Sequence, residues 1–496
     1  MGRAKPGRLY IIGAGFAGRA LAAEIKAGAV FGEAAAFLDD DSAGIGREQD
    51  GIPVLGPIRD AAALIRLHPA DGAIIAIPGA GGEYLAEIYR ALKKAGFEKI
   101  RILPGLSPSA GGDARLIQTR PIEPQDLLGR APVTVNLRES LSYLRGKRVL
   151  VTGAGGSIGG ELCRQLLSGG AARLYLFGHG ENSIYQIDRE LRALQEEGVG
   201  EKTSVVPVIG DLKDRDYMDY ILGKLRADAV FHTAAYKHVP MTEENPVAAI
   251  ENNFFGTLNL IRAARAHGVK RFVHITTDKA VEPVSVYGVS KYLCEALVLE
   301  EAGGEGPGPG GLTCMAVRFG NVLGSRGSII PLFQRQIEKG GPVTVTHPEM
   351  RRWFITIPEA CSLVLKAGGV GENGGLYLLD MGEPARIRDL AEQMIRFYGF
   401  EPGEDIKIEY VGLRPGERLD EALWGAGESP EKTPFDRILR VERREGGGPG
   451  IRALTERLAP ICRFDPARPE LYRDSAALKA VLREAAPSYA RAAGGL

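Results

Sequence analysis

The chain has 496 residues, too many for one ordinary hydrophobic core and enough for two or three domains of common size. Its 62 lysines and arginines balance 62 aspartates and glutamates, so no bulk field draws it to nucleic acid or to an acidic membrane surface. The five cysteines, Cys163, Cys294, Cys314, Cys361 and Cys462, are scattered and never paired as CxxC, which argues against a disulfide framework and a zinc site.

In chain order, a few basic residues lead into the apolar run Leu9-Tyr10-Ile11-Ile12, with no signal-peptide apolar region. No stretch of about eighteen apolar residues follows anywhere, so a soluble, cytoplasmic chain without a transmembrane segment is expected. The strand opens into Gly13-Ala14-Gly15-Phe16-Ala17-Gly18 and an amphipathic helix, a grammar that recurs from Arg148 to Leu167. Further strands are predicted at 35–38, 72–77 and 100–103, with a helix over 83–95, so an α/β fold with a parallel sheet is expected. Asp39-Asp40-Asp41 follow the second strand, but no acid, base or nucleophile joins them, so a ligand-sensing or purely structural role is as open as nucleotide binding.

A polar, breaker-rich stretch marks a boundary, giving an N-terminal Rossmann-like domain over 1–128, a linker over 129–146 and a second domain over 147–496. In the second, strands are predicted near 173–177, 204–209, 229–233 and 271–276, and helices near 182–197, 246–267 and 287–301, forming one doubly wound sheet. Residues 303–311, nearly all glycine and proline, read as a surface loop. Beyond Gly320 short elements suggest a small substrate-binding lobe.

Thr152-Gly153-Ala154-Gly155-Gly156-Ser157-Ile158-Gly159 leaves strand for helix, where bare backbone and free N–H groups suit a pyrophosphate. Gly153, Gly156, Ser157, Ile158 and Gly159 are the cofactor-binding candidates there. Glu181, after the next strand, suits the ribose hydroxyls and favours NAD over NADP, and Asp211-Leu212 suit the adenine.

Thr276-Thr277-Asp278-Lys279 ends the fifth strand, and Tyr287-Gly288-Val289-Ser290-Lys291 opens the next helix. Tyr-x-x-x-Lys at helical spacing puts Tyr287 and Lys291 on one face, and an ammonium beside a phenol favours phenolate, so Tyr287 can take a hydroxyl proton while hydride leaves. That pair alone gives a dehydrogenase or an epimerase. Asp278 and Lys279 add an acid and a base in the crevice, which points to elimination: C4 oxidation acidifies C5–H, Lys279 removes it and Asp278 protonates the leaving C6 hydroxyl. Ordinary lysine and aspartate titrate near ~10.4 and ~3.9, so both need a dry pocket for these roles.

These residues resemble the short-chain dehydrogenase/reductase superfamily, and within it the CapD/WbpM-type polysaccharide-biosynthesis dehydratases acting on UDP-N-acetylglucosamine. The likeness runs through Thr152 to Gly159, Gly178 to Tyr185, Ala234 to Pro240, Thr277 to Val281, Arg318 to Ser328 and Leu413 to Glu417. It implies that Thr277, Asp278, Lys279, Tyr287 and Lys291 carry the chemistry, that Ala234, Ala235 and Lys237 line the cofactor, and that Asn321 touches the nucleotide sugar. Arg326 and Arg414 become candidates for the substrate diphosphate and His238 for a substrate contact. A UDP-N-acetylhexosamine substrate, an NAD or NADP cofactor and a homo-oligomer are expected.

The chain departs from that family twice: long members carry transmembrane helices ahead of this N-terminal domain, and many have methionine where this chain has Tyr287. A C4 epimerase would keep Tyr287 and Lys291 without needing Asp278 and Lys279. A catalytically silent, ligand-sensing regulator of polysaccharide assembly is the other alternative.

Overall fold

The computed structural model describes residues 7–28, 32–77, 80–97, 99–103, 120–121, 140–303, 311–443 and 450–493. Residues 129–139 of the expected linker and 304–310 of the expected loop lie outside them. The chain divides into two compact units. The first comprises 1–136 with 329–344 and 389–409; the second comprises 137–328 with 345–388 and 410–496. Compactness therefore does not follow chain order beyond Gly320, where the sequence had suggested one continuous lobe.

In the first unit a seven-stranded sheet is built on Arg8–Ile12, flanked by Glu33–Leu38 and Gly72–Ile75 in parallel, with Lys99–Ile102 next. Two-residue antiparallel strands close both edges. Successive residues on a strand face opposite sides. Tyr10, Ile12, Leu38 and Ile75 accordingly enter one buried cluster, and Ile11, Phe37 and Ile74 the other. Apolar residues at consecutive positions are thus what a sheet covered on both faces requires.

The second unit carries a nine-stranded sheet in the order 204–209, 173–178, 148–152, 229–232, 271–277, 313–319, 375–379, 438–443, 428–432. Pairing is parallel through Gly375–Leu379, and the last two strands are antiparallel. Strand order reverses beside Arg148–Thr152, where an open α/β sheet leaves a crevice at its carboxyl edge. This is the α/β, Rossmann-like architecture expected from the alternating elements.

Two features differ from the sequence reading. The helix expected over 246–267 is interrupted: Pro246–Ile250 and Gly256–Ala266 are α-helical, but Glu251–Phe255 between them is a π-turn. Such a turn adds a residue to the helix and re-aims its side chains, which periodicity alone does not register. The chain also ends in helices Ile451–Cys462, Ser475–Ala485 and Pro487–Ala493, which the sequence reading did not resolve. Leu454, Leu458, Leu478 and Leu482 from these helices pack with Val286, Val289, Leu293 and Leu297 of helix Val286–Ala302. A proline inside the first of them, Pro460, breaks the pattern that would have announced it. Among the described residues no helix is long and apolar enough to cross a membrane.

Candidate active site

The glycine-rich turn is shaped by close backbone approach. Gly153 has φ +68°, and a Cβ there would lie 2.9 Å from the Ala234 backbone; at Gly159 it would lie 2.2 Å from the Gly153 carbonyl oxygen. Gly156 precedes helix Ser157–Ser168 without a side-chain cap, so Ser157 and Ile158 stand in its first turn with backbone donors directed outward. This cradle, which a single methyl would fill, fits a dinucleotide pyrophosphate. Glu181 is exposed at the first position of helix Glu181–Glu196, Asp211 is half-buried just beyond strand Ser204–Ile209, and Leu212 is buried. Ala234 and Ala235 are half-buried beyond strand Ala229–His232.

Asn253, on the π-turn, completes this edge. Its Oδ1 accepts from the Tyr236 backbone at 2.8 Å, while its Nδ2 donates to the Tyr236 carbonyl at 3.0 Å and to Ser290 Oγ at 2.9 Å. The π-turn thereby pins the Ala234–Lys237 loop to the helix that bears Tyr287. Sequence reasoning missed Asn253; the breakdown of helical period around Asn252-Asn253 was the available signal.

The fifth strand, Arg271–Thr277, delivers Thr277, Asp278 and Lys279 to the crevice, and the last two open a short 3-10 turn. Asp278 is fully buried; its Oδ1 lies 3.0 Å from Lys279 Nζ and accepts from Thr277 Oγ1 at 2.8 Å. Its Oδ2 has no hydrogen-bond partner, and the bare Gly320 leaves room beside it, since a Cβ there would approach to 3.0 Å. Lys279 Nζ also donates to Asn321 Oδ1 at 3.1 Å, with Glu421 Oε1 at 4.0 Å. Asn321 is itself held by its backbone N–H on the Trp353 carbonyl.

Tyr287 is buried on helix Val286–Ala302, near Thr277. Its pKa is raised, first by burial and then by the Asp278 charge, while the Thr277 hydroxyl works the other way. The Lys291 ammonium expected beside the phenol is bonded elsewhere. Lys291 spends its ammonium on the Ile275 carbonyl at 2.6 Å and on His274 Nε2 at 3.2 Å, and burial pulls its pKa down. A shared helix face brings two residues near each other; it does not fix where a long side chain ends.

Three cations converge at the mouth. Lys237 has its pKa lowered by desolvation and then by the nearby charges of Arg326 and Lys279. Arg326, expected at a substrate diphosphate, instead reaches the glycine-rich turn: its Nη2 donates to the Gly155 carbonyl at 2.5 Å and its backbone N–H to Ser157 Oγ at 3.0 Å. His238 caps helix Val239–Glu244, exposed, with its pKa lowered by desolvation and then by Lys237. Arg414 is exposed on a loop, where its backbone N–H meets Glu417 Oε2. Among the described residues no group of three or more His, Cys, Asp or Glu could hold a metal ion.

Two supporting arrangements were invisible in sequence. Glu421, buried, is 4.0 Å from both Lys279 Nζ and Arg352 Nη2; burial raises its pKa, the Lys279 charge opposing. Arg318, fully buried, bonds Glu295 at 2.7 Å and Glu428 at 2.7 Å, while Thr276 Oγ1 reaches Glu295 at 2.9 Å. This network ties the Thr276–Lys279 strand end to the Tyr287 helix.

Residues 149–443 match the family described as polysaccharide biosynthesis protein. The chain is similar to a probable polysaccharide biosynthesis protein EpsC of Bacillus subtilis, 41% identical over 85% of this chain and 69% of that one. It is 42% identical to the capsular polysaccharide biosynthesis protein CapD of Staphylococcus aureus, over 78% of this chain and 63% of the relative. A UDP-N-acetylglucosamine 4,6-dehydratase (inverting) of Campylobacter jejuni is 30% identical over 60% of this chain and 83% of its own. Among solved structures, Pen from Bacillus thuringiensis aligns with a TM-score of 0.54 at 32% identity, covering 60% of this chain and 88% of that chain. The match spans both the glycine-rich turn and the Thr277–Lys291 constellation, and the chain belongs to the polysaccharide biosynthesis protein family.

Proposed function

We propose that this chain is a nicotinamide-dependent nucleotide-sugar 4,6-dehydratase that converts UDP-N-acetylglucosamine to a UDP-4-keto-6-deoxy-N-acetylhexosamine for polysaccharide biosynthesis. The observation that carries this reading is the buried Asp278 carboxylate, 3.0 Å from the half-buried Lys279 ammonium and beside Tyr287. An epimerase needs no second acid and base; an elimination needs both. The 30% identity to a C. jejuni dehydratase named for this reaction supports the same substrate class.

A nicotinamide bound at the glycine-rich turn would take hydride from C4 and return it to C6. Gly153, Gly156, Ser157, Ile158 and Gly159 would hold its pyrophosphate, Glu181 the ribose, Asp211 and Leu212 the adenine side, and Ala234, Ala235 and Lys237 the adjoining wall. The Glu181 carboxylate disfavours a 2′-phosphate, so NAD is the preferred form. Tyr287, once ionised, receives the C4 hydroxyl proton, a role that its burial opposes. Lys279 removes the proton that the C4 ketone has acidified at C5, with the Glu421 carboxylate 4.0 Å from its Nζ. Asp278 gives its proton to the C6 hydroxyl, which leaves as water. Lys237 and Arg414 supply charge for the substrate diphosphate, Arg326 stands at the glycine-rich turn on the cofactor side, and Asn321 offers its amide to the nucleotide sugar.

The test is to incubate the purified protein with UDP-N-acetylglucosamine and NAD and follow product mass. Loss of one water, abolished in Asp278→Asn and Lys279→Ala, is the expected result. An isomer of unchanged mass would make the protein an epimerase. No turnover with any UDP-hexosamine would favour the regulatory reading.

A further inference from the structure

We propose that Asn259 and Arg463 are positioning residues for the cofactor: together they fix the Asp211–Lys213 loop against its helix, and the loop so held reads the adenine base. The C-terminal helices thereby set affinity and base selectivity at the cofactor site. The inference rests on the nicotinamide part of the proposed function and is independent of whether the sugar is dehydrated or epimerised.

The loop leaves strand Ser204–Ile209 in a tight turn. Lys213 N–H donates to Asp211 Oδ1 at 2.9 Å, Asp214 N–H donates to the Asp211 carbonyl at 3.1 Å, and Lys213 Nζ lies 3.4 Å from Asp211 Oδ2. These bonds shape the turn from within. Two further contacts attach it to helix Gly256–Ala266. Leu212 lies against Gly256, where a Cβ would come within 3.0 Å of the leucine Cβ. Asn259, one turn further on, donates through Nδ2 to the Leu212 carbonyl at 2.9 Å and to the Lys213 carbonyl at 3.2 Å. The backbone that carries the Asp211 carboxylate is thus held on the side away from the cofactor crevice by a single amide.

An asparagine amide has an oxygen end and a nitrogen end, and the wrong end here would set oxygen against two carbonyl oxygens. Arg463 decides which end faces the loop. Its Nη2 donates to Asn259 Oδ1 at 3.1 Å, and its guanidinium lies over the Phe255 ring, 4.7 Å from the centroid. Phe255 and Asn259 stand four positions apart, so one cation reaches both. A guanidinium carries donors only and a backbone carbonyl acceptors only. The amide oxygen must therefore face Arg463 and the amide nitrogen the two carbonyls. Asn259 is 6% exposed, which leaves water little access to do the same. Arg463 follows helix Ile451–Cys462 and comes 204 positions after Asn259, so the C-terminal helices meet the cofactor loop through this one bond. The chemistry proposed at the sugar gives neither residue a task.

The test uses nicotinamide hypoxanthine dinucleotide, in which an oxygen replaces the 6-amino group of adenine. A carboxylate at Asp211 accepts from the amino group and repels the oxygen, so calorimetry on the full chain should find NAD bound about tenfold more tightly than the analogue. In Asn259→Leu, NAD should weaken by about tenfold and the analogue by less than about twofold, so that the preference disappears. In Arg463→Met the preference should fall by about threefold, and Arg463→Lys, which keeps a donor-only cation, should hold the wild-type ratio. The two sites stand on separate elements, so a variant that fails to fold leaves the other to decide. Equal weakening of NAD and the analogue in the folded variants would overturn the proposal, because a generally loosened sheet edge does not distinguish the bases. Unchanged affinity for both would overturn it as well. A wild type that binds both dinucleotides equally would place the base elsewhere and sink the proposal while leaving the nicotinamide reading intact. A wild type that binds neither would overturn the nicotinamide reading, and the inference with it.

Discussion

Acidification should weaken the second unit through two histidines that the fold keeps neutral. His232 lies between Thr152 Oγ1 at 2.7 Å and Thr257 Oγ1 at 2.8 Å, and burial, then the Lys291 charge, pulls its pKa down to about 3. His274 is depressed well below the ordinary value by burial, by Lys291 and by His232. In the unfolded chain each titrates near ~6.5, so below that pH the unfolded state binds protons that the native state refuses. The stability due to their neutrality is complete above ~6.5 and is lost as pH falls, at about 1.4 kcal/mol per unit for each histidine, or about 2 kcal/mol each by about pH 5. A protonated His274 would also face the Lys291 ammonium across 3.2 Å and unseat it. Pulse proteolysis in urea, comparing wild type with His274→Asn from about pH 7.5 to about pH 5, isolates the effect because the carboxylates cancel. The wild type should lose about 2 kcal/mol more than the variant over that range. Parallel stability curves would refute the buried neutral histidine.

Gly159→Ala puts a methyl 2.2 Å from the Gly153 carbonyl, so calorimetry should find NAD binding weakened by at least about tenfold, about 1.4 kcal/mol; an unchanged Kd would count against the cradle. Arg326→Ala removes the guanidinium from the Gly155 carbonyl and should weaken NAD, measured by titration without substrate, by about tenfold. An effect confined to the nucleotide sugar would return Arg326 to the diphosphate. Arg318→Met leaves buried Glu295 and Glu428 with Arg443 as their remaining shared partner and should cost about 3–5 kcal/mol in urea unfolding; a loss below about 1 kcal/mol would contradict the buried network.

What could be read from the sequence was what local geometry dictates. The turn Gly153–Gly159 announces itself because bare backbone at that spacing has few other uses, and Thr277-Asp278-Lys279 is legible because a strand end in an open sheet faces the crevice. The cation near Tyr287 was misread because helix spacing sets where Lys291 begins, whereas His274 and the Ile275 carbonyl decide where its ammonium ends. Glu421 lies 142 positions beyond Lys279 and arrives only through the Trp353 and Arg352 contacts that hold its loop, which no local pattern encodes. Asn253 depends on a π-turn inside a segment whose composition is helical. The N-terminal motif turned out to be internally satisfied at one point: Asp39 Oδ2 accepts from the Ala14 backbone at 2.5 Å, a bond that holds the turn together.

The most direct test of elimination with internal hydride return uses UDP-N-acetylglucosamine deuterated at C4, with unlabelled NAD and the product examined by mass and NMR. The dehydratase account predicts a product lighter by one water that carries the deuterium in its C6 methyl group. Deuterium restored to C4 in a product of unchanged mass, or lost to solvent, would contradict it.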